Sequence, residues 1–148
     1  EKQVAVSVAG GLNWPLGNAF EYNGPTLMTS FIVYPANTAE DKLLSAYDAV
    51  LAELARTGPS RQQVERVAAK MRADWYRQLQ IPVSRASALS HAVLFDGNFE
   101  SVYEVPDRVA RVTPEEIRHF AATYLVPSNR TIINRVPEKP AKPPGGAK

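Results

Sequence analysis

The chain has 148 residues, of which 45% are hydrophobic and 22% charged, and it contains no cysteine. That length supports one domain with a buried core, and the composition is that of a folded globular protein. The missing cysteines exclude disulfides, thiolate zinc sites and cysteine nucleophiles, and no apolar run reaches the ~18 residues of a membrane-spanning helix. The formal net charge is +2, but the tail from Pro137 holds Lys139, Lys142 and Lys148 against Glu138 alone, so the whole excess lies there. The neutral body argues against nucleic acid as a partner, because such binders carry their basic excess as a stripe on the fold.

Residues 4–9 alternate, with Val4, Val6 and Val8 on one side, and predict a strand that Gly10-Gly11 ends. A turn-rich loop follows through Pro15, Gly17, Asn18, Asn23, Gly24 and Pro25. Thr26–Tyr34 is apolar on both sides and predicts a central, largely buried strand. The period then becomes helical. Leu43, Leu44, Tyr47, Val50, Leu51 and Leu54 share one face of a helix over about 39–57, with Thr38 as its cap and Gly58-Pro59 as its stop.

Ser60 with Gln63 makes a capping box for a second helix, whose apolar face is Val64, Val67, Ala68, Met71, Trp75 and Leu79. Ile81-Pro82 breaks it, and Ser84 is placed to cap a third helix running to about Phe95. Residues 99–111 predict one short helix or two, interrupted by Pro106. Thr113-Pro114-Glu115-Glu116 is the strongest start signal in the chain: a cap, a proline at the first helical position and acids in the first turn. That helix runs to about Leu125, and Arg130–Val136 predicts a last strand. The Pro/Lys/Gly run from Pro137 reads as a flexible tail, which divides the chain into a domain over 1–136 and a tail over 137–148.

Strands at the ends and helices in the middle predict an α+β fold, a largely antiparallel sheet covered on one face by several helices. The chain opens in mid-strand, and three strands are few for this many helices. The expectation is therefore that residues of the same domain precede Glu1, and that an unpaired sheet edge favours self-association.

No constellation for chemistry emerges. His91 and His119 are the only histidines, and neither sits in a His-x-x-Glu-His or His-Glu-x-x-His pattern. Glu116 and His119 lie three apart on one helix, a spacing that suits two ligands of one metal, but capping acids on a surface helix explain the pair more simply. His91 reads as a packed, hydrogen-bonded histidine. Ser87 and Ser90 precede it without an orienting acid or an oxyanion site. Gly10-Gly11 lacks the Gly-Lys-Ser/Thr of a nucleotide loop. The acid pairs Glu40-Asp41 and Glu115-Glu116 fall in first helical turns, where negative charge favours the helix dipole. Arg61, Arg66, Lys70, Arg72 and Arg77 form a solvated face, with Trp75 in the core. The expected catalytic, cofactor-binding and metal-ligating residues of this chain are therefore none.

The order of these segments resembles the repeated domain of the insulinase, pitrilysin and mitochondrial processing peptidase family, over about residues 3–137. Val4-Ala5-Val6-Ser7-Val8-Ala9 is similar to the family's Leu-Ala-Tyr-Ser-Val-Ser strand. Glu53-Leu54-Ala55-Arg56-Thr57-Gly58 resembles its leucine-to-glycine helix stop, after Phe31-Ile32-Val33-Tyr34. Ser60–Lys70 resembles the following helix, Ser84–Gly97 a serine-led helix ending at glycine, and Val112–Leu125 the helix opened by valine and threonine. Arg130–Pro137 resembles the closing strand.

The resemblance implies a domain built twice or more per enzyme, one copy carrying the inverted zinc motif and the others forming a chamber that encloses peptide. Lacking that motif, this chain resembles a non-catalytic copy. The implied partners are a catalytic insulinase-like domain or subunit, where zinc is expected, and peptide substrate in the full enzyme; alone, the chain is expected to cleave nothing. Some non-catalytic copies contact substrate through an arginine and a tyrosine. Val6 stands at the tyrosine position, which points to a structural half. The alternatives are a structural core-type subunit of a larger complex, or an unrelated α+β protein-binding module. The resemblance to bacterial envelope peptidases leans toward a periplasmic or other extracytoplasmic setting.

Overall fold

A computed structural model describes residues 4–14 and 24–135. In chain order they form β1 (Ser7–Leu12), β2 (Met28–Val33), α1 (Glu40–Thr57), α2 (Arg61–Gln80), α3 (Pro82–Asp96), α4 (Ser101–Ala110) and α5 (Pro114–Tyr124), followed by a 3-10 turn at Pro127–Asn129. The α+β class and the order of strands before helices are as expected from the sequence. The predicted tail from Pro137 lies outside the described residues.

The two strands pair antiparallel, Ser7 opposite Val33 and Leu12 opposite Met28. Gly10-Gly11 does not end β1, contrary to expectation; the strand runs through both glycines to Leu12. The reason is close approach: a Cβ on Gly10 would lie 2.4 Å from the Thr29 carbonyl oxygen, so only glycine fits opposite Ser30. Asn13 closes the ladder instead. It adopts φ 55°, its N–H donates to Leu27 O at 2.7 Å, and its Oδ1 accepts from the Leu27 N–H at 3.0 Å.

β2 is not the buried central strand its apolar run suggested. Among the described residues it has one neighbour, and Phe31 and Val33 remain 57% and 53% exposed. Residues directly opposed across a ladder share a face. Ser30 shares a hydrogen bond of 2.8 Å with Tyr47 of α1, which sets the Gly10–Ser30 face toward the helices. The other face carries Ala9, Gly11, Phe31 and Val33, with Trp14 standing edge-on to Phe31 at 5.6 Å.

The predicted helices exist, with corrections at their ends. Thr38 does not cap α1. Its N–H turns back onto Pro35 O at 2.9 Å, and Ala39 becomes the N-cap with no side-chain bond. Gly58 ends α1 at φ 69°, ψ 175°, a conformation open essentially to glycine alone. Ser60 caps α2 through a full capping box with Gln63. Ser84 does not cap α3: Ile81 is the N-cap, and Pro82 takes the first helical position, where its missing N–H costs nothing. Residues 101–110 form one helix, and Pro106 does not interrupt it. Thr113 and Glu116 make the expected capping box of α5. Arg130–Arg135 forms no strand, so the described part of the predicted last strand is corrected: it has no ladder partner among the described residues.

Two packing units result. α2 packs on α3 and α4, and α3 packs on α4, around Trp75, Leu79, Ala88, Ala92, Val102 and Val105. α1 packs on α5, burying Leu43 and Ala121. The position of Pro106 explains why α4 survives its proline. An N–H at residue 106 would bond to the Val102 carbonyl one turn earlier. That carbonyl instead accepts from the Trp75 indole Nε1–H at 2.9 Å in the buried core. The helix therefore keeps its interior polar group satisfied while Pro106 itself is fully buried.

Candidate functional site

The residues weighed for metal chemistry are already engaged or separated. Glu116 closes the α5 capping box, its Oε2 accepting from the Thr113 N–H at 2.8 Å and from Thr113 Oγ1 at 2.9 Å. These bonds, the backbone one foremost, hold its carboxyl below the usual glutamate range. His119 is exposed on the same helix. Among the described residues no three His, Asp or Glu side chains converge where a metal ion could be held.

His91 lies on α3, its ring stacked on Phe95 one turn later at 5.8 Å. The expectation of a hydrogen-bonded histidine is corrected: Nδ1 is buried without a hydrogen-bond partner among the described residues. Ser87 and Ser90 are exposed on that helix, and no bond joins either to His91 among the described residues.

The basic residues of α2 lie on its solvated side, where Asp74 accepts from Lys70 at 2.8 Å and from Arg77 at 2.6 Å. The Lys70 hydrogen bond is the main cause of the lowered Asp74 pKa. Trp75 is 6% exposed, as the core reading of that residue required. Val6 is 71% exposed and donates its N–H to Val33 O at 2.7 Å. Its side chain offers neither hydroxyl nor charge.

A polar tether that the sequence did not announce joins the end of the described chain to α1 and to Tyr34 just after β2. Arg130 makes a two-pronged ion pair with Asp48 of α1, the Nη2–Oδ2 arm measuring 3.0 Å. Asn134 accepts from the Tyr34 hydroxyl at 2.7 Å and donates to Glu40 Oε2 at 2.7 Å. Partners this far apart in the chain leave no periodic signal. The Arg130 hydrogen bond, more than its charge, holds the Asp48 carboxyl below its ordinary range.

A cleft of about 120 Å³ separates the first turn of α2 from the α4–α5 link. Arg61, Val64, Glu65, Arg111 and Val112 are among its lining residues, and no histidine or nucleophile pairs with a base there. The larger feature is the outer face of the hairpin, where Phe31 and Val33 are exposed together with Trp14. Side chains of this kind suit contact with another protein surface. No helix among the described residues is long and apolar enough to cross a membrane.

No family profile matches the chain. No curated protein matches it either. Solved structures do. The inactive peptidase domain of a candidate zinc protease from Bordetella parapertussis superposes with a TM-score of 0.74 at 25% identity, over 93% of this chain and 71% of that one. A candidate zinc protease from Bordetella pertussis Tohama I gives 0.71 at 25% identity, over 92% of this chain and 71% of that one. By fold this chain is therefore similar to the inactive peptidase domain of a candidate zinc protease, and its α+β order of two strands followed by five helices is the architecture that the likeness covers.

Proposed function

We propose that this domain is a wall and scaffold of a peptide-enclosing zinc metallopeptidase whose zinc sits in a separate insulinase-type catalytic domain or subunit. The observation that carries the reading is the likeness to an inactive peptidase domain across 93% of the chain. Two features support it. Glu116 is committed to the Thr113 cap and Asp48 to the Arg130 ion pair. The hairpin, by contrast, exposes Trp14, Phe31 and Val33, apolar surface suited to a neighbouring domain. Val6 in place of a tyrosine makes the contribution structural rather than a direct hold on substrate.

The test combines metal analysis with a quenched fluorescent peptide. The purified chain should hold no stoichiometric zinc and leave the peptide intact, whereas the zinc-bearing half should cleave faster when this chain is added. One tightly held zinc per chain, with chelator-sensitive cleavage, would overturn the non-catalytic assignment. A zinc-bearing half whose rate ignores this chain would overturn the scaffold role.

A further inference from the structure

We draw no further inference here: the strongest candidate, the apolar outer face of the β1–β2 hairpin around Trp14, Phe31 and Val33, is uncovered among the described residues and nothing in the structure shows what covers it.

Discussion

Replacing Trp75 with phenylalanine removes one N–H from the middle of the α2–α3–α4 core and shrinks one ring. The N–H matters because Pro106 cannot donate to the Val102 carbonyl, which takes the indole bond at 2.9 Å instead. Leaving a buried carbonyl unpaired costs about 1–3 kcal/mol, and the void beside Leu79 and Val105 adds a packing loss. The two contributions separate in a double-mutant cycle with Pro106→Ala. Alanine at 106 supplies the missing helical N–H, so the Val102 carbonyl regains a donor one turn along α4. In that background Trp75→Phe keeps only its packing loss, and the cycle should return a coupling of about 1 kcal/mol. Urea unfolding of all four proteins, followed by far-ultraviolet circular dichroism, gives each stability from the midpoint at constant slope. A coupling energy within about 0.5 kcal/mol of zero would mean that the two changes are independent, and the account of how α4 tolerates its proline would be wrong.

Thr113→Ala and Ser60→Ala each remove a capping box and should each lower stability by about 1 kcal/mol in the same urea assay, while Ser84→Ala, whose hydroxyl caps nothing, should change it little. Gly58→Ala forces φ 69° on a residue with a Cβ, which would also sit 3.1 Å from the Arg118 Cβ; a loss of about 1–3 kcal/mol is expected, and a neutral result would contradict the described end of α1. Asp48 has a folded pKa held below its ordinary 3.8, so its stabilising effect is complete above that value and disappears as pH falls through the lower folded value. Asp48→Asn should therefore be less stable than the parent at neutral pH, with the difference closing in acid below that window. A difference that stayed constant throughout would exclude the Arg130 pair as its cause.

The helices were legible because their signals are local. Ser60 and Gln63, or Thr113, Pro114 and Glu116, lie within one turn of each other, and each set forms the cap it predicts. Where two local signals competed, the stronger backbone constraint won: Pro82 at the first helical position displaced Ser84 as the start of α3. The strands were harder, because burial depends on neighbours that a sequence window does not contain. The apolar run Phe31-Ile32-Val33 implied a covered strand, yet in the described hairpin Phe31 and Val33 face open space. The glycines misled for the same reason, since Gly10 answers to the Thr29 backbone across the ladder rather than to a turn. The order of segments carried the peptidase resemblance, while the tether through Asp48, Arg130, Tyr34 and Asn134 had no signature at all.

That tether also bears on how the chain assembles and how it comes apart. Its bonds close loops of 82, 94 and 100 residues, whereas the Trp75–Val102 bond spans 27. On chain entropy alone, a closure more than three times longer costs about 1 kcal/mol more. The last described residues are also exposed and hold on through side chains at their ends, without a ladder among the described residues. In a native-state hydrogen-exchange experiment the amides of 131–135 should open long before those of α2 and α4, peeling from α1 while the helical core stays shut.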